Sequence, residues 1–170
     1  DVIPYVTSYY SPRFAFCMSK NQRDSLKPGK YHMVIDSRHF DGVLNYGEIL
    51  LPGASKKEVL LSTYICHPSM ANNELSGPVL AVALAKTLAK QTERKYTYRF
   101  VWIPETIGSI TYLSRHLEEM KRKTIAGYVL SCVGDDRTYS YIPSRNGETL
   151  ADRAAKTVLR YHYPEYVRYS

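Results

Sequence analysis

The sequence is short of the features that mark several common function classes. Its three cysteines, Cys17, Cys66 and Cys132, are odd in number and widely spaced, with no CxxC pair. A disulfide framework and a structural zinc finger are therefore unsupported. Because each cysteine sits in an apolar stretch, the pattern fits reduced, buried thiols of a cytoplasmic protein. No apolar run approaches the roughly 18 residues needed to cross a bilayer, so no membrane partner is expected. Residues 1–10 lack a basic segment followed by an apolar one and do not read as a signal peptide. Neither GxGxxG nor GxxxxGK[ST] nor GxSxG occurs, which argues against nucleotide and serine chemistry. Proline and glycine are not in excess, at 9 each in 170 residues of which 44% are hydrophobic. That composition supports one core, or a core with a small satellite module, and excludes a disordered chain.

What is present points to an ordinary folded surface. Lys and Arg number 23 against 16 Asp and Glu, a net charge of +7. The basic residues are scattered: Lys56-Lys57, Lys90 to Lys95 and Lys121 to Lys123 fall at expected element ends. A solvated surface explains them better than a nucleic-acid face, so no nucleic-acid partner is expected. The 16 tyrosines are likewise spread along strand-like runs and read as packing rather than as a base-stacking platform. The chain lacks an initial methionine and stops on Tyr161 to Ser170 without a closing element, as expected of a piece cut from a longer protein.

Patterning divides the chain in two. Strands are predicted over 13–19, 30–37 and 43–51, with Asp41-Gly42 as a hairpin turn, a short helix near 20–26 and a break at Pro52-Gly53. Residues 1–53 thus read as a small all-β module. Beyond it, apolar runs at 58–66, 96–103 and 125–133 predict buried strands. Helical spacing is predicted over 75–91, where Leu75, Val79, Val82, Ala83 and Leu84 face the core, and again over 108–122 and 148–161. Alternation of strand and helix over 54–170 indicates an α/β domain with a mainly parallel sheet. In such sheets ligands bind beyond the carboxyl ends of the strands. Three tips, Cys66-His67, Pro104-Glu105 and Gly134-Asp135, would then share one edge.

The residues at those tips set the chemistry. His67 follows a buried run and opens a polar loop, where an imidazole can bind a metal or move a proton; the plainer alternative is a hydrogen bond to its own loop. Glu105, partly desolvated, suits a general base acting on metal-activated water, and its plainer alternative is to cap the following helix. Asn72, Asn73 and Glu74 offer further oxygen donors, with Glu74 either a first-turn carboxylate or a ligand. Gly77 lets the helix start close to the sheet. His32, His39, His116 and His162 read as structural or surface residues.

The stretches TYICHPSMANNELSG (63–77) and VWIPETIGSITYLS (101–114) resemble bacterial aminopeptidase-like proteins of the DUF4910 type, relatives of the M28-type zinc exopeptidases. VIPYVTSYYSPRFAFCMS (2–19) and YGEILLPG (46–53) resemble the DUF2172-type β module that accompanies them. The resemblance implies a bacterial source, a three-layer α/β/α zinc-exopeptidase-like fold over 54–170, truncated at its C-terminus, and a metal site at the sheet edge. It makes His67 a zinc ligand and Glu105 the catalytic base. Asn73 stands where the family has a metal-bridging aspartate, Thr106 where it has a second glutamate, and Ser131 nearest its next acidic ligand, with Asp135 and Asp136 a few residues on. The family's last histidine ligand is not reached. Crowded zinc ions need carboxylates to offset their charge, and asparagine is neutral. One zinc ion at most is therefore expected, from His67, Asn73, Glu74 and Asp135. The implied function is a metal-dependent aminopeptidase-like hydrolase acting on a small peptide or amide substrate and linked to polysaccharide biosynthesis. The alternative is a degenerate, non-catalytic binding or assembly module on the same scaffold.

Overall fold

The computed structural model describes residues 2–3, 11, 15–38, 40–67 and 69–169. Part of the strand expected over 13–19, and the whole of His39 and Pro68, lie outside the described residues. The chain divides into two units, Asp1–Asp41 and Gly42–Ser170.

In the first unit the regular element among the described residues is α1 (Lys20–Ser25), at the place expected for a short helix. Ser19 caps it: its hydroxyl accepts from the Gln22 N–H at 3.2 Å while its own N–H donates to Gln22 Oε1 at 3.0 Å. The strand expected over 30–37 does not form. Alternating apolar residues make a strand only when another strand pairs with them. Here Tyr31, Val34 and Ile35 stay exposed and no described segment pairs with them.

The second unit is built on β1 (Gly47–Leu51), β2 (Ser55–Tyr64), a π-helical turn (Ala71–Leu75), α2 (Ser76–Ala89), β3 (Tyr96–Ile103), α3 (Ile107–Lys123) and β4 (Thr124–Val129). After these come β5 (Ser140–Tyr141), α4 (Leu150–His162) and β6 (Val167–Arg168), with β5 and β6 paired as a small second sheet. The main sheet has the order β1-β3-β2-β4; β2 runs parallel to both β3 and β4, and β1 is antiparallel to β3. The mainly parallel α/β sheet expected from the alternation of elements is therefore present. Consecutive β3 residues divide between its faces: Phe100 packs with Leu61, Ala81 and Ala85 under α2, and Val101 and Ile103 pack with Tyr112 and Met120 under α3. Helices thus cover both faces.

The boundary expected at 53/54 falls inside this second unit. Pro52-Gly53 breaks the strand, as the sequence suggests, but the break carries the chain past the start of β3 and into the same sheet. A Cβ at Gly53 would run into the Tyr96 carbonyl group and lie 2.8 Å from the Arg94 carbonyl oxygen. Only glycine lets the backbone pass that close. The crossing is fastened by Ala54 N–H to Arg94 O at 2.8 Å and Ser55 N–H to Lys95 O at 2.9 Å. Hence 47–51 pairs with β3 and not with a partner in a separate β module.

Two further expectations shift. The strand predicted to 133 ends at Val129, because Ser62 and Thr63 hold Leu130 through both of its backbone groups, at 2.8 and 2.9 Å, where the chain leaves the sheet. The buried face of α2 is Gly77, Ala81 and Ala85, whereas Leu75, Val79 and Val82 are exposed. Small residues four apart let the helix axis lie close to the sheet, and the larger side chains turn outward.

The α3 face holds a buried charge network. Arg99 of β3 is 5% exposed and Glu58 of β2 is 1% exposed. The guanidinium grips Glu58 with two bonds, at 2.7 and 3.2 Å, and donates to the Tyr112 hydroxyl of α3 at 3.1 Å and to Glu48 of β1. Glu58 holds the guanidinium firmly protonated, and burial pushes the Tyr112 hydroxyl up. Arg99→Met would leave buried Glu58 without its two guanidinium bonds and with only the Lys123 ammonium, 3.7 Å away, as counter-charge, at an expected cost of about 3–5 kcal/mol. Replacing Arg99 and Glu58 together with apolar residues of similar volume should cost distinctly less; urea denaturation of the single and double variants checks the difference.

Candidate functional site

β2, β3 and β4 are parallel, so their carboxyl ends lie on one edge of the sheet. Chain leaving β2 delivers Cys66 and His67, and chain leaving β3 delivers Glu105. One ligand atom from each of these three residues lies within 4.8 Å of the other two. His67 and Glu105 are the residues expected from the sequence; Cys66, expected as a buried core thiol, joins them. In fact Cys66 and Cys132 are exposed and Cys17 is half-buried. Cys66 and Cys132 lie beyond the last residues of β2 and β4, outside the segments that the helices cover. The available signal was a cysteine next to a histidine at a strand tip, facing a carboxylate at the neighbouring tip.

Glu74 lies behind His67 and is 3% exposed. Its carboxylate accepts from the Cys66 N–H at 2.7 Å and lies 3.0 Å from His67 Nδ1. Burial raises its pKa, but the bonds from Cys66 and His67 outweigh that and leave it below the ordinary carboxylate range. An ionised partner at Nδ1 favours the tautomer with the proton there and leaves Nε2 as the ring's acceptor nitrogen. Glu74 thus orients the imidazole from behind. Partial desolvation and the charges of Glu74 and Glu105 push the Cys66 thiol up, against the backbone N–H of Glu105.

Glu105 is exposed, not desolvated as expected. Nor is it the helix cap: that position belongs to Thr106, which forms no side-chain cap bond. Thr106 has φ 55° and ψ −75°, a sparsely populated γ-turn conformation that costs of order 1–3 kcal/mol. This kink between β3 and α3 sets Glu105 at the sheet edge.

The other expected ligands are engaged elsewhere. Asn73 donates to the Tyr64 hydroxyl at 3.1 Å and to Cys132 Sγ at 3.6 Å. The same Tyr64 hydroxyl meets Ser131 Oγ. Asp135 is bound to Arg137 at 2.7 Å and to Asn72 at 2.9 Å; Arg137 holds its carboxyl down at about 2. Asn72 and Ser76 fasten the loop after β4, accepting from Gly134 N–H at 2.8 Å and Val133 N–H at 3.0 Å. Gly77 sets α2 down at this edge, since a Cβ there would collide with the Leu130 carbonyl oxygen and the Thr63 hydroxyl.

As a donor set, an imidazole held by a buried carboxylate, a thiol and a carboxylate suit a single small divalent ion. Fold and site together define a mainly parallel α/β domain that gathers metal-capable side chains at the carboxyl ends of its strands. The family model for the domain of unknown function DUF4910 matches residues 6–170, and the chain belongs to that family. The match extends into both units and covers residues 6–53 of the segment expected to be a DUF2172-type module. A Clostridium acetobutylicum protein described provisionally as a polysaccharide biosynthesis protein with an aminopeptidase-like domain is 44% identical over 166 residues. That alignment takes in 98% of this chain but only 38% of the relative's length. A crystal structure from Clostridium acetobutylicum, described provisionally as that of a peptidase, superimposes with a TM-score of 0.80 at 42% identity, over 99% of this chain and 40% of the other. No helix among the described residues is long and apolar enough to cross a membrane.

Glu74→Ala leaves the Cys66 N–H and His67 Nδ1 without their acceptor, so a loss of about 1–3 kcal/mol is expected in denaturant titrations. Because folding lowers the Glu74 pKa, its contribution is complete above the ordinary value of 4.5 and fades as pH falls through the lowered folded value. Stability curves of the variant and the parent should converge in acid.

Proposed function

We propose that this chain forms part of a zinc-dependent aminopeptidase-like hydrolase that cleaves a small peptide or amide substrate. The observation that carries the reading is the convergence of His67 and Glu105 at one sheet edge, with Glu74 fixing the imidazole from behind. Zinc bound there would polarise the scissile carbonyl and make water acidic near neutral pH. His67 would hold the ion, and Glu105, exposed and next to it, would take the proton of the attacking water and return it to the leaving amine. A three-layer zinc-exopeptidase fold is consistent with helices on both faces of a mainly parallel sheet. The descriptions of the two Clostridium acetobutylicum relatives support peptide-bond chemistry and a role in polysaccharide biosynthesis. The three free cysteines suit a reducing, cytoplasmic location.

A second reading has its own observation. Asn73 is tied to Tyr64 and Asp135 to Arg137, so two of the expected ligands are committed elsewhere. A scaffold that binds a ligand or partner without cleaving it would look the same. Glu105→Gln separates the two. The hydrolase reading expects unchanged zinc content and turnover lowered by about 10²–10⁴-fold in the intact protein. Unchanged turnover would remove Glu105 as the base, and absence of turnover in the parent over a broad peptide and amide panel would favour the binding module.

A further inference from the structure

We propose that Cys66 is a thiolate ligand of the same ion, so that the centre is a mixed sulfur–nitrogen site for one thiophilic divalent cation and not a carboxylate-bridged pair. This rests on the metal-site reading of His67. Charge is the first argument. Asn73, Thr106 and Ser131 are neutral at the places where the resemblance puts acidic ligands, so a cation beside His67 needs an anionic donor from elsewhere. Among the described residues, the metal-capable cluster supplies two candidates, Cys66 and Glu105.

Geometry permits the sulfur. Cys66 and His67 leave the same strand end, and one ligand atom of each lies within 4.8 Å of the other and of the Glu105 carboxylate. With the sulfur as anionic donor, the Glu105 carboxylate is left free to work as a base. On binding, the S–H bond breaks, a metal–sulfur bond forms and the proton passes to solvent, with no change of oxidation state. Thiolate and imidazole donors together prefer zinc or cobalt over magnesium or calcium.

Cobalt(II) alone, added to the intact metal-free protein, is the probe. A thiolate-to-cobalt charge-transfer band in the near ultraviolet is expected at one equivalent; it should vanish in Cys66→Ser and persist in Cys132→Ser. The Cys66→Ser variant should still bind cobalt through His67, more weakly. Bound cobalt without the band in the parent, or a band that survives Cys66→Ser, overturns the assignment while leaving His67 as a ligand. No bound cobalt in the parent overturns both this assignment and the metal-site reading on which it rests. Should Cys66→Ser fail to fold, a Cys17→Ser/Cys132→Ser double variant decides instead: a band that persists supports Cys66, and a band that is lost overturns the assignment.

Discussion

The grip of Arg99 on Glu58 fixes the rest of the second unit. One buried cation on β3 holds a carboxylate of β2, another of β1 and a hydroxyl of α3. Those contacts set the spacing of three strands and lock α3 against their common face. Since His67 leaves β2, and Glu105 lies between β3 and α3, the same network indirectly sets the distance between the two groups proposed to do chemistry. A buried charge is costly unless fully paired, which also makes the arrangement specific: few other registers would give Arg99 all of its partners.

On the opposite face the device is the absence of side chain. Gly77, Ala81 and Ala85 bring α2 down onto Leu61 and Phe100, which places the π-helical turn, with Asn72 and Glu74, at the sheet edge. Asn72 then fastens the loop after β4, and Glu74 reaches under His67. One face is thus held by charge and the other by close approach, and the candidate site forms where both end.

Much of this was legible in the sequence. Continuous apolar runs mark β2, β3 and β4, and the βαβ rhythm implies parallel strands with shared tips, which brings His67 and Glu105 together from the sequence alone. The rest depended on long-range pairing. Nothing local says that 47–51 pairs with 96–103; a Pro-Gly break reads equally as a domain boundary or as a crossing, and only the close approach of Gly53 to Tyr96 distinguishes them. On α2, Leu84 packs on the core as its apolar size suggests, but Leu75, Val79 and Val82 do not, because the small residues Gly77, Ala81 and Ala85 are the ones that permit close contact. Cys66 was missed because an apolar run predicts burial only while the strand lasts, and β2 ends at Tyr64. The commitments of Asn73 to Tyr64 and of Asp135 to Arg137 are likewise contacts that motif matching does not reveal.

The most direct test is the metal content of the intact protein after zinc is supplied and excess removed, measured by mass spectrometry beside a His67→Ala variant. The expected result is about one zinc per chain, the count for a single-ion catalytic site, lost in the variant. Absence of bound metal in the parent, or equal zinc in both proteins, would contradict a metal centre built on His67.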